Sequence, residues 1–461
     1  MYIGVVLLAL MWVAIRKIYR VPEPPARRSS AGPAATAIAA VAAIPLLFAI
    51  QLWTVAFMAQ HQITFCVQHI PFQVVADFNE TSGGEAQLWP SLALLAIAAM
   101  QTGLLFLIDR DWDRAPQSLL AIAVPFACAI LLIEGLLAPA MTSSDSYSYI
   151  AYARLGIAAS YVPHFQPLSA GQHFFTWCLK GYFPAAYGPG FVAYVGAILA
   201  NTHSTQSSIL ILRATNAAWL IALIALVRLS GAPRKTVALL ALNSAFFFQY
   251  VTNAHNDILP VVLVVAGILL ARRSVVAGAL LVIAASLFKI PFAAIGSLAF
   301  VRLTPSLRRL AIAALTVVAS FGLSYAIGGQ KYFATLAFHS RIMASGADRL
   351  EIVLTIVALL AIAYALVCQR FHWALSFTMP ALAVEILQPW YVAWSLPYAL
   401  VESEHLSTFL ILAPFATLLM EDGISRAALL SGYALTCAII AVGIFRDVRF
   451  ARSRREAGET Q

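Results

Sequence analysis

Residues 117–154, QSLLAIAVPFACAILLIEGLLAPAMTSSDSYSYIAYAR, decide what kind of protein this chain is. The first part, through Leu137, is an apolar run of the length a helix needs to cross a bilayer. The second part, from Thr142 to Arg154, is dense in hydroxyls and tyrosines, with one acid, Asp145, and one guanidinium. A carboxylate at the mouth of a membrane bundle is costly unless a partner or a function holds it there.

The rest of the chain repeats the apolar theme. Of 461 residues, 61% are hydrophobic and only 11% charged, and the mean hydropathy is +0.84. That balance excludes a soluble domain. Apolar segments lie near 2–15, 36–59, 89–108, 117–138, 208–227, 236–252, 258–271, 274–288, 290–301, 310–327, 351–368, 373–387, 389–401, 405–420 and 427–445. They predict an all-α, polytopic transmembrane bundle of about 12–15 spans. The pair 274–288 and 290–301 also fits a re-entrant hairpin. Four units follow: N-terminal membrane helices over 1–138, an outer catalytic loop over 139–207, a core bundle over 208–445 and a basic cytoplasmic tail over 446–461.

The net charge of +9 comes from cations clustered in short loops, which marks the cytoplasmic side rather than a nucleic-acid surface. An outside N-terminus puts Arg16, Lys17, Arg234, Lys235, Arg272, Arg273, Arg308, Arg309 and the Arg446–Arg455 tail inside. Met1–Ile15 has its charges after the apolar core, as in an anchor rather than a cleaved leader. The expected location is the inner (plasma) membrane, with the long loop on the outer face.

That loop, Pro139–Ser207, far exceeds a median connection of roughly four to six residues. Its aromatic and small apolar residues predict interfacial helices across the bundle mouth. A helix is expected over Ser146–Ala158, which Asp145 can cap at its N-terminus. Tyr149 and Tyr152 then share a face with Asp145. They line a sugar-sized site or anchor the helix among the headgroups.

Asn253-Ala254-His255-Asn256-Asp257 places polar side chains between apolar flanks, where they must face a cavity or each other. Without a second clustered His or Cys it is a poor metal site, and no metal or other cofactor is expected. Gln388-Pro389-Trp390-Tyr391-Val392-Ala393-Trp394 lies at another outer boundary, where aromatics belong to an interface belt or stack on sugars. Tyr187-Gly188-Pro189-Gly190 is a turn signal. Cys66 and Cys178 share the outer side, so a disulfide between them is an open option.

In this order, Asp145-x-Tyr147-x-Tyr149, Tyr152-x-Arg154, Tyr187-Gly188-Pro189, Asn253–Asp257, Lys289-Ile290-Pro291 and Gln388-Pro389-Trp390-Tyr391 resemble the GT-C superfamily. More narrowly, the chain is similar to polyprenyl-phosphate-mannose-dependent mannosyltransferases over about residues 140–400. The resemblance implies an integral membrane glycosyltransferase with a lipid-linked sugar donor and Asp145 as catalytic base. It departs from the pattern in three ways. About four spans precede the acid, Asp145 has no acidic neighbour, and Val162-Pro163-His164 replaces the usual Asn-Pro-Tyr.

Transfer from a polyprenyl phosphate also needs positive charge for the departing phosphate. The outward cations are Arg154, Lys180, Arg213, Lys289, Lys331, Arg341, Arg349 and Arg426. Guanidinium forks favour Arg154, Arg341 and Arg349, whereas Lys289 at the tip of a hairpin needs an anion beside it. The expected substrate-binding set is therefore Tyr149, Tyr152, Arg154, Tyr187, Asn253, His255, Asn256, Asp257, Lys289, Arg341, Arg349, Gln388, Trp390 and Tyr391. The expected reaction moves a hexose, mannose by resemblance, to a glycolipid or polysaccharide hydroxyl with inversion. The alternative is a lipid or polysaccharide flippase, which also carries intramembrane polar residues but shows paired halves and midplane charges.

Overall fold

The computed structural model describes residues 31–62, 74–75, 88–141, 143, 145–162, 166–167, 181–182, 184–303, 306–345, 393–401 and 406–418. The expected segments at 2–15, 351–368, 373–387 and 427–445 lie outside these residues, as do Cys66, Cys178, Arg349, Gln388, Trp390 and Tyr391.

The described chain is a helical bundle. Its N-terminal part is α1 (Ala31–Gln62), α2 (Leu88–Asp111) and α3 (Gln117–Leu137). Then come α4 (Asp145–Ser160), α5 (Pro189–Ile198), α6 (Thr205–Leu229) and α7 (Arg234–Ala241). The series continues with α8 (Ile258–Ala271), α9 (Val275–Phe288), α10 (Pro291–Leu303), α11 (Leu307–Ser345), α12 (Leu396–Val401) and α13 (Leu406–Leu418). Val74–Val75 pairs in parallel with Ala140–Met141, and Gln166–Pro167 pairs antiparallel with Gly181–Tyr182. Among the described residues, Ala34–Phe57, Gln117–Leu137, Thr205–Leu229 and Leu307–His339 are long and apolar enough to cross a membrane. The helices α5, α8 and α9 and the Pro291–Phe300 part of α10 are apolar but shorter.

Local chemistry sets the breaks. Ser204 and Ser274 cap α6 and α9, their hydroxyls accepting from the Ser207 and Ala277 amides. Pro291 opens α10, and the residue before a proline avoids the helical region, so the chain turns at Lys289–Ile290. The α8 and α9 backbones meet through glycines, and a methyl on Gly278 would lie 2.9 Å from the Ala271 Cβ. Small residues permit this approach, and in lipid such packing drives helix association.

The segment 236–252, expected as one span, is broken. Helix α7 stops at Ala241, and the chain restarts at Ser244 and runs into a π-helical turn, Phe247–Thr252. The side-chain amide of Asn243 donates to the Leu410 carbonyl at 2.8 Å, which holds the break against α13. The segment 310–327 instead belongs to a longer helix, kinked at Gly329, whose φ of 67° suits glycine. Within 139–207, α4 covers the predicted Ser146–Ala158 and kinks at Gly156.

Two apolar clusters result. The larger runs through α1, α2, α3, α6, α8 and α13. The smaller gathers Tyr147, Tyr149, Ile150, Tyr152, Tyr161, Phe191 and Tyr332 over one end of the bundle. The opposite end carries the ion pair Lys235–Asp109 at 3.0 Å and the Arg272 contact to the Ser230 carbonyl.

Candidate active site

Asp145 begins α4, and its amide donates to Ser143 Oγ at 3.2 Å. Among the described residues, its carboxylate meets side chains rather than backbone amides. Oδ2 accepts from the Tyr149 hydroxyl at 3.1 Å and the Tyr187 hydroxyl at 3.0 Å, and lies 3.3 Å from His255 Nδ1. Tyr149 reaches back one helical turn, as its i+4 spacing allows. Among the described residues Oδ1 makes no hydrogen bond, and the Asp145 side chain is 29% exposed. The base candidate therefore has one oxygen held and the other open.

Tyr187 arrives through backbone packing. The Gly188 amide donates to the Phe288 carbonyl at 2.8 Å, and a side chain at Gly188 would collide with the Leu287 carbonyl oxygen. Glycine at 188 therefore lets the turn seat against the end of α9 and brings the Tyr187 ring beside Lys289. The lysine Nζ lies 5.2 Å from the Tyr187 ring centre and 4.9 Å from the Trp394 ring centre. It pairs with Asp257 Oδ1 at 2.8 Å, and the Trp394 indole N–H donates to the same oxygen at 2.7 Å. The anion beside Lys289 is Asp257, which is fully buried.

His255 and Asp257 come from the turn after the π-helical segment. There Asn253 N–H bonds to the Phe248 carbonyl at 2.9 Å, the wide spacing of a π turn. Such turns recur at functional sites because they re-aim side chains.

The electrostatics follow from these contacts. Burial alone would raise the Asp145 carboxyl. The His255 imidazole 3.3 Å away, the Tyr187 hydroxyl and the Lys289 ammonium outweigh burial and hold it below the ordinary carboxylate value. Burial, with the negative charges of Asp145 and Asp257, pushes the Tyr149 phenol well above its usual value, so it remains a donor.

The structure thus gathers Asp145, Tyr149, Tyr187, His255, Asp257 and Lys289 from four separate stretches of chain. Tyr152 lies at the edge, its ring centre 6.3 Å from that of Tyr187. Asn253 donates to the Gln249 side chain, and Asn256 is buried in the same turn.

Arg154 is not brought in. It stands nine residues along α4, about 13 Å by helical rise, and its guanidinium holds the Thr202 carbonyl and hydroxyl. Arg213, also expected to face outward, donates to the carbonyls of Thr252, Leu136 and Ala138. Arg341 falls within α11. The expected set takes Gln388, Trp390 and Tyr391 from this aromatic stretch and leaves out Trp394. Its signal was the proximity to Gln388-Pro389-Trp390-Tyr391.

The described residues thus form a helical membrane bundle in which a carboxylate, tyrosines and a buried lysine are gathered together. Residues 67–304 match the family described as "Alpha-(1->6)-mannopyranosyltransferase, N-terminal domain", and the chain belongs to that mannosyltransferase family. Searches of the curated proteins and of the solved structures returned no match.

Proposed function

We propose that this membrane mannosyltransferase takes its sugar from a polyprenyl-phosphate donor and passes it, with inversion, to an acceptor hydroxyl at the outer face. The observation that carries the proposal is the asymmetry of Asp145, with Oδ2 held by Tyr149, Tyr187 and His255 and Oδ1 open. Oδ1 takes the proton of the acceptor hydroxyl as that oxygen attacks the anomeric carbon. The bond from carbon to phosphate oxygen breaks on the opposite face, and its electron pair leaves on the lipid phosphate.

Lys289 is the cation that meets the phosphate. Its ammonium is nearly buried between two rings, where a charge interaction is stronger than in water. With that charge supplied by the chain, the reaction as proposed calls for no metal. Asn256 Oδ1 and Asp257 Oδ2 are buried and accept no hydrogen bond among the described residues. Sugar hydroxyls are suitable donors for both.

The outer-face assignment rests on charge. Arg110, Arg114, Lys235 and Arg272 belong to the end opposite Asp145, as cytoplasmic loops require. In this reading, 139–207 caps a core bundle over 208–445, 1–138 is the N-terminal membrane part, and 446–461 is a cytoplasmic tail in the inner membrane. The acceptor is a glycolipid or polysaccharide hydroxyl. Incorporation of label from a polyprenyl-phosphomannose donor into lipid or polymer by membranes bearing this protein tests the proposal. No incorporation above membranes lacking it would refute the donor assignment.

A further inference from the structure

The turn that carries His255 is strained and held from outside. Ala254 adopts φ 55°, the left-handed region that a residue with a Cβ seldom enters, and it is buried. Such a conformation persists only where its surroundings over-determine it, and it clusters at functional sites.

The surroundings do so here. The Thr252 carbonyl accepts from Arg213 Nε at 2.9 Å, the Asn253 carbonyl from Ser146 Oγ at 3.0 Å, and the His255 carbonyl from Asn216 Nδ2 at 2.8 Å. Arg213 also ties this turn to the end of α3 through the Ala138 carbonyl at 2.8 Å. Arg213 and Asn216 stand three apart on α6 and so share a face. Among the described residues, Arg213 is buried without a carboxylate, although it lies in an apolar helix. A guanidinium there is costly, and its carbonyl contacts mark what it is kept for.

We propose that Arg213 and Asn216 are positioning residues, which clamp the strained Thr252–His255 turn and thereby aim His255 at Asp145. This inference rests on the reading of Asp145 as the base. Ser146, next to that base, supplies the third contact, so the clamp couples the turn to α4 itself.

Asn216→Ala carries the test, because Arg213→Lys removes a buried fork and risks unfolding. Full-length protein in membranes is assayed with labelled polyprenyl-phosphomannose, alongside His255→Ala and the double variant. Asn216→Ala is expected to lower kcat about a hundredfold, the scale of a misplaced catalytic group, with donor KM unchanged and the thermal midpoint lowered but the protein still folded at the assay temperature. The double variant should be no slower than His255→Ala alone, since Asn216 acts through His255. Wild-type kcat in Asn216→Ala, or losses that multiply in the double variant, would overturn the clamp. Wild-type turnover in His255→Ala would remove the His255–Asp145 contact as a functional element, and the inference with it. Loss of transfer in His255→Ala together with independent losses at Asn216 would leave the base assignment standing while rejecting the clamp.

Discussion

Replacing Lys289 with Met separates two roles that the structure gives to one ammonium. Lys289 pairs with Asp257 Oδ1 at 2.8 Å, and the side chains are 10% and 0% exposed. Removing one partner of such a buried pair costs about 3–5 kcal/mol, because the other charge is left uncompensated. The Trp394 N–H still reaches Asp257 at 2.7 Å, which places the expected loss toward the lower end of that range. Adding Asp257→Asn removes the stranded charge, so Lys289→Met/Asp257→Asn should recover most of the lost thermal stability in detergent. Transfer should not recover with it. A charged hydrogen bond to the leaving phosphate is worth about 1.5–3 kcal/mol, or roughly ten- to a hundredfold in rate. The assay is mannosyl transfer in membranes beside a melting curve of the purified protein. A double variant that regains both stability and full transfer would refute the argument, since Lys289 would then be only the structural partner of Asp257.

Gly188→Ala should be destabilised by about 1–3 kcal/mol and lose transfer, because the added methyl strikes the Leu287 carbonyl. A wild-type melting curve would contradict that contact. The depressed Asp145 carboxyl keeps its base form until pH falls below the ordinary carboxylate value of about 3.9. The stability of the ionised form is likewise present above that value and lost as pH falls through the lower folded one. Tyr187→Phe deletes a bond to the ionised form and should move the acid limb of the rate–pH profile upward, and an unmoved limb would count against it. Exhaustive chelation should leave the transfer rate unchanged, and loss of activity restored by a divalent ion would show that Lys289 is not sufficient at the phosphate.

What could be read from residues alone was set by local spacing and by cost. Asp145 and Tyr149 meet because they are four apart on a helix, and Lys289 stood out because a lysine beside a helix break in an apolar region needs an anion. The bundle itself followed from hydropathy, which reports burial in lipid. Hydropathy is blind to backbone geometry, so the break at Asn243 and the π-helical turn remained hidden inside an unbroken apolar run. The contacts of Arg154 are hidden from the sequence for a related reason. Its guanidinium suits a phosphate, but nothing local shows that Thr202, far along the chain, engages it. Tyr187 enters the expected site by resemblance, while its local sequence reads only as a turn; what brings it to Lys289 is the packing of Gly188 against α9, a contact between distant segments.

Asp145→Asn is the most direct measurement. It keeps the size of the side chain and its capacity to accept from Tyr149 and Tyr187, but it removes the base. Membranes containing normal amounts of folded Asp145→Asn protein should transfer no mannose from a polyprenyl-phosphate donor above background. Wild-type transfer by that variant would contradict the assignment of Asp145.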